Sequence, residues 1–184
     1  GVHDYDLFRM AKEEYKKLAQ GNKPFNLTLL TVDTHFPKGV PDKRMRPYVN
    51  KNVPDGTHEF ALASLDYLLG DFIKFVEAQP NGKETVILIL GDHLLMGDLR
   101  HTPIIKKFDN KPRRVALLSS KAIAQLGGAE ELAYYDIPQI IFNLAEVKHN
   151  AKFSKELFPQ MSEKFVADNK ELFTSLNLKL NGMR

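Results

Sequence analysis

Between Asp4 and Gln20 the apolar side chains fall at Leu7, Phe8, Ala11, Tyr15 and Leu18, steps of three and four that share one helical face. Asp4 is a candidate cap for this helix and Gly21 a stop. The rhythm then changes. Residues 26–32, NLTLLTV, are short, apolar and rich in β-formers, follow the breaker pair Lys23-Pro24, and predict a buried strand that ends at Asp33-Thr34-His35. Residues 36–56 carry Pro37, Gly39, Pro41, Pro47, Pro54 and Gly56, too many breakers for a regular element. They predict a long loop, and such loops tend to carry function.

Helical spacing returns over residues 57–79, where Phe60, Leu65, Leu68, Leu69, Phe72, Ile73 and Val76 share a face, Thr57 is placed to cap and Pro80 to terminate. Residues 85–90 predict a second buried strand and residues 114–119 a third. Strand, long helix and strand in succession is the pattern of a right-handed parallel crossover. The expected fold class is therefore α/β, a mostly parallel sheet flanked by helices. Asp136-Ile137-Pro138 resembles a further helix start, continued by Ile140, Ile141 and Leu144, and the rest of the chain reads as helical.

Composition narrows the functional classes. The chain has 184 residues, 43% hydrophobic and 27% charged, which suits one globular domain with a real core. Its net charge of +3 is spread along the sequence, without the basic stripe of a nucleic-acid binder. Cysteine is absent, which excludes thiolate metal sites and disulfides. No apolar run reaches the roughly 20 residues of a membrane span. The opening Gly1-Val2-His3-Asp4 is neither an initiator Met nor a signal peptide, so the chain is expected to be part of something longer.

The chemistry concentrates where the predicted strands end. If residues 26–32 and 85–90 run parallel, Asp33-Thr34-His35 and Gly91-Asp92-His93 emerge at the same carboxyl edge, where open α/β sheets bind ligands. Gly91 permits a tight turn, and Asp92 with His93 offers oxygen and nitrogen donors suited to a divalent ion such as Zn or Mn. The plain alternative has Asp92 capping a turn, His93 packing, and His35 held by local turn bonds. His101 reads as a solvated loop residue or as one placed to reach a bound anion, whereas His3, His58 and His149 read as structural or exposed. Lys38, Lys43, Arg44 and Arg46 make the long loop basic, either a solvated surface or a greeting for an anionic head group. There is no phosphate loop, nucleophile elbow or H-E-x-x-H helix. A third metal ligand and a nucleophile are missing from the inventory.

Several stretches carry a resemblance: GVHDYDLF at 1–8, KPFNLTLLTVDTHFPKG at 23–39, ALASLDYLLGDFI at 61–73, VILILGDHLLMGD at 86–98 and YDIPQIIFNLAEV at 135–147. Together the chain resembles the alkaline phosphatase and sulfatase superfamily, and within it the branch of phosphoglycerol transferases and lipoteichoic acid synthases. The resemblance implies an alkaline-phosphatase-like but incomplete domain over 1–150, the C-terminal part of a catalytic domain, followed by a helical extension at 151–184. It implies that Asp92 and His93 ligate a catalytic Mn, Mg or Zn ion. It also makes His35 a contact to the substrate's phosphate or glycerol phosphate, and gives His101 a supporting or substrate-binding role.

By the same resemblance, the threonine nucleophile, a glutamate ligand and the membrane anchor would precede Gly1, leaving no catalytic nucleophile in this chain. The implied parent is a membrane-anchored enzyme of the periplasm or outer face of the inner membrane, acting on a phosphoglycerol-bearing lipid or glycan through a phosphoenzyme. The fragment itself is expected to be inactive, to bind metal weakly, and to self-associate through an exposed strand edge. Rival readings are a sulfatase, phosphodiesterase or phosphoethanolamine transferase of the same superfamily, and a non-catalytic module holding an anionic glycan or lipid.

Overall fold

In the computed structural model, residues 1–35, 38–92, 115–118 and 137–151 are described. Helix α1 spans Asp4–Ala19 and buries Phe8, Ala11 and Tyr15, the face that the periodicity predicts. Helix α2 spans His58–Glu77, with the Thr57 hydroxyl accepting the Phe60 amide N–H at 3.1 Å as its cap. The two helices pack through Phe8 and Phe72, edge to face with ring centroids 5.6 Å apart. Met45, Val49, Phe60, Leu68 and Val76 complete this core. Each such side chain contributes about 1.5–3 kcal/mol on leaving water.

Helix α1 is fastened at both ends. At its C-terminal end the buried Tyr15 hydroxyl lies 2.7 Å from Thr85 Oγ1 and donates to Asn81 Oδ1 at 3.1 Å, beside a 3-10 turn at Gly82–Glu84. That turn delivers the chain into strand β1, Ile87–Leu90. At the other end, Asp4 is bonded to the backbone of Val32 and Asp33.

Strand pairing departs from the expectation. Strand β2, Val115–Leu118, lies antiparallel to β1 with Ile87 opposite Leu118 and Leu90 opposite Val115. Both predicted strands at 85–90 and 114–119 therefore exist and pair antiparallel, whereas the parallel crossover was expected between residues 26–32 and 85–90. Residues 26–32 form no strand among the described residues. Their burial alternates: Phe25, Leu27 and Leu29 pack on the helical core, whereas Leu30 is 72% and Val32 44% exposed. One face rests on helices in place of two faces in a sheet, which is why composition alone misread this segment as fully buried.

The chain divides into two compact units, Gly1–Ser119 and Ser120–Arg184. In the second, helix α3 spans Ile137–Leu144 and buries Ile137, Ile140 and Leu144. Glu146 takes the left-handed conformation, φ 53°, while its N–H reaches the Asn143 carbonyl and that of Val147 reaches Phe142. These are the paired bonds of a Schellman stop, with Glu in the place usually held by Gly. The helical extension expected at 151–184 lies, beyond residue 151, outside the described residues.

Candidate active-site loop

The turn that carries His35 is held from three sides. Within the turn, the His35 N–H bonds the Val32 carbonyl at 3.0 Å, the Gly39 N–H bonds the His35 carbonyl at 2.8 Å, and the Val40 N–H bonds the Asp33 carbonyl at 2.7 Å. From α2, His58 Nε2 lies 2.9 Å from the Thr34 carbonyl oxygen. A carbonyl can only accept, so this nitrogen carries the proton. Towards α1, the turn and the helix clamp each other through one carboxylate apiece.

Asp33 accepts the Asp4 amide N–H at 3.1 Å with one oxygen and the His3 Nδ1–H at 3.0 Å with the other. Its carboxylate thus satisfies an otherwise orphaned amide at the start of α1, where negative charge is favoured. Asp4 replies with 2.8 and 3.2 Å bonds accepted from the Val32 and Asp33 amides. Sequence analysis placed Asp4 as the cap; instead His3 occupies the cap position and the capping carboxylate arrives from Asp33. Burial pushes the Asp4 carboxyl up from its ordinary value, with the Asp33 charge adding to the rise and the two amide bonds opposing it. Both aspartates are buried, Asp4 at 1% and Asp33 at 5% exposure.

Gly39 is required where the turn closes on α2. It has φ +72°, and a Cβ there would sit 2.7 Å from the Asp33 carbonyl oxygen and 2.9 Å from the Ala61 Cβ. Further along the loop, a 3-10 helix at Lys43–Tyr48 begins on Asp42, whose carboxylate accepts the Arg44 amide. The Arg44 guanidinium bridges Asp42 and Asp6, each at 2.6 Å through Nη2, and lies over the Tyr5 ring. Hydrogen bonding to Arg44 holds both carboxyls below their ordinary values. Arg46 donates to the Val49, Asn50 and Val53 carbonyls and to Asp55. These two arginines are therefore structural ties of the loop.

Of the residues singled out by sequence, His35 is exposed on this pinned turn, and Asp92 is exposed two positions beyond the end of β1. His93 and His101 lie outside the described residues. Among the described residues no three His, Cys, Asp or Glu side chains gather as a metal site. His3 and His58, read from sequence as structural or exposed, are structural: the fold uses both to hold the His35 turn, a partnership the sequence did not indicate. Sequence reasoning also saw Asp33 only as a local turn residue. An acid at the very start of a helix, in GVHDYDLF, was the available signal.

The described residues combine a two-helix core, a two-stranded antiparallel pair and a polar turn bonded to both helices. The chain belongs to the Sulfatase family, whose model matches residues 1–160, and this membership implies the alkaline-phosphatase-like α/β fold. Phosphoglycerol transferase I of Xanthomonas axonopodis pv. citri (strain 306) is 34% identical over 97 residues, covering 52% of this chain and 14% of that protein. The protein of the same name from Salmonella newport (strain SL254) is 29% identical over 100 residues, 53% of this chain and 13% of that protein. The matched stretch is thus a small share of the relatives' length. No solved structure matches.

Proposed function

We propose that this chain forms part of a metal-dependent phosphoglycerol transferase of the cell envelope, in which His35 contacts the phosphoryl group being moved. The observation that carries the reading is the His35 turn, fixed through His3, Asp4, Asp33 and His58 while the imidazole itself stays exposed. Such rigid placement suits phosphoryl transfer, where catalysis is mostly positioning and charge stabilisation. An imidazole N–H there is a donor for a phosphate oxygen or a glycerol hydroxyl.

Sulfatase-family members generally use a divalent metal, which would supply neutralisation of the phosphoryl oxygens. Asp92 and His93 are the proposed ligands in this chain. The described residues offer Asp92 alone, short of the three donors that a catalytic ion needs. Further ligands and a threonine nucleophile are proposed to come from other parts of the whole protein, as is its membrane anchor. No helix among the described residues is long and apolar enough to cross a membrane. His101 is proposed to support the substrate, which is a lipid or glycan bearing phosphoglycerol on the periplasmic side.

The test is a head-group transfer assay on the product of the complete reading frame, offering phosphoglycerol, phosphoethanolamine and sulfate-ester donors in parallel. Phosphoglycerol transfer that falls on the order of 100-fold in His35→Ala and again in Asp92→Ala is the expected result. Preference for another donor would move the reading to a sulfatase, phosphodiesterase or phosphoethanolamine transferase. Indifference to both substitutions would leave a binding module.

A further inference from the structure

Beside the His35 turn the long loop folds around a pocket of about 290 Å³, between its own Lys38–Lys43 stretch and the start of α2. Val40, Pro41 and Phe60 give it apolar walls, Gly56 leaves one side low, and Lys38 and Lys43 stand at its edge. The two arginines of this loop are consumed by carboxylates and carbonyls. The two lysines are not: among the described residues neither has an ion-pair partner. Asp55, the one acid on the pocket wall, is paired with Arg46 at 2.6 Å. The pocket edge therefore carries two ammonium groups that are in no ion pair among the described residues, above an apolar floor.

We infer that this pocket is a second anion subsite, taking a phosphate borne on a short polyol with the phosphate between Lys38 and Lys43 and the carbon skeleton against Val40, Pro41 and Phe60. Ammonium groups on flexible stems suit a phosphate that arrives in more than one pose. The apolar walls suit the C–H faces of a polyol. Its start at Lys38, three residues past His35, places it to hold the unit next to the one that His35 contacts. The polyol assignment rests on the phosphoglycerol reading above; the anion preference rests on the lysines alone.

The test is titration of the 15N-labelled 184-residue chain with glycerol phosphate, with glycerol as the uncharged control. Saturable shifts at the Val40, Gly56 and Phe60 amides are expected with glycerol phosphate only. Lys38→Gln and Lys43→Gln should each weaken binding by about fivefold, the scale of one exposed ion pair, and the double variant should weaken it more than either alone. Co-sedimentation with phosphatidylglycerol against phosphatidylcholine vesicles identifies the source: lysine-dependent vesicle binding marks a lipid head group, and its absence beside lysine-dependent glycerol phosphate binding marks a soluble or glycan-borne one. Equal binding by the double variant, equal binding of glycerol, or no saturable shift would overturn the subsite. Because neither His35 nor Asp92 is altered, that failure could coexist with His35-dependent transfer in the whole enzyme and would leave the transfer reading standing.

Discussion

Asp4 and Asp33 each use a carboxylate to hold the other's backbone: Asp33 accepts the Asp4 amide at 3.1 Å and Asp4 accepts the Asp33 amide at 3.2 Å. The exchange joins the first turn of α1 to the turn that presents His35. Two buried carboxylates this close repel, so the arrangement persists through the donors around it. His3 and the amides of Val32, Asp33 and Asp4 supply those donors.

Removing either side should therefore cost more than an ordinary surface contact. Asp33→Ala strips α1 of its capping acceptor, a loss of about 1–2 kcal/mol. Asp4→Ala leaves the Val32 and Asp33 amides without their acceptor, at about 1–3 kcal/mol for each buried group left unsatisfied. Urea denaturation of the two variants, with unchanged m-values, checks both figures. A shift below about 0.5 kcal/mol for Asp4→Ala would show that the clamp does not hold in solution.

The carboxyls of this region should titrate in opposite directions from the ordinary value of 3.8. Asp4, raised chiefly by burial, makes folding less favourable as pH climbs from 3.8 through its folded value. Asp6 and Asp42, lowered by Arg44, contribute stability that is complete above 3.8 and lost as pH falls through their depressed values. Carboxyl 13C shifts followed against pH give the three midpoints directly. Arg44→Gln should bring Asp6 and Asp42 back towards 3.8 and leave Asp4 where it was; an Asp4 midpoint under 3.8 would contradict the burial argument.

Local physics made much of this legible. The faces of α1 and α2 follow from apolar spacing, and the Thr57 cap from one hydroxyl before that spacing begins. The positions of β1 and β2 were also readable, but their antiparallel partnership was not, because orientation is decided by where the chain travels between them. Residues 26–32 misled for a related reason: Leu29 and Leu30 look alike in sequence, yet only Leu29 meets the core. At the candidate site, His35 and Asp92 were singled out as polar residues after predicted strands, and only Asp92 follows a strand among the described residues. The supports were invisible because Asp4 and Asp33, or Thr34 and His58, meet only after the helices pack.

His58 offers a test of support separate from chemistry. Its ring bonds the Thr34 carbonyl and touches the backbone that positions His35. His58→Ala should reduce hydrogen-exchange protection at the Gly39 and Val40 amides by about tenfold, the loss of a bond worth about 1 kcal/mol or slightly more. Amides in the middle of α2 should keep their protection. In the whole enzyme the same substitution should lower kcat while leaving the metal dependence unchanged, since His58 acts through the turn. If α2 loses protection equally, His58 is a general fold contact and the positioning argument fails.

Gly39 and Gly56 separate backbone strain from crowding. Both have positive φ, 72° and 71°, so an alanine at either position carries the left-handed penalty of about 1–2 kcal/mol. At Gly56 a Cβ would meet nothing within 4 Å, and that penalty is the whole cost. At Gly39 the Cβ would also press on the Asp33 carbonyl oxygen and the Ala61 Cβ. Neither yields easily: the carbonyl already accepts the Val40 amide, and Ala61 is fully buried in α2. Gly39→Ala should therefore destabilise by at least about 1 kcal/mol more than Gly56→Ala, and only Gly39→Ala should shift the His35 amide resonance. Equal denaturation midpoints for the two variants would mean that the turn can move away from α2, and with it the fixed placement of His35 on which the transfer reading depends.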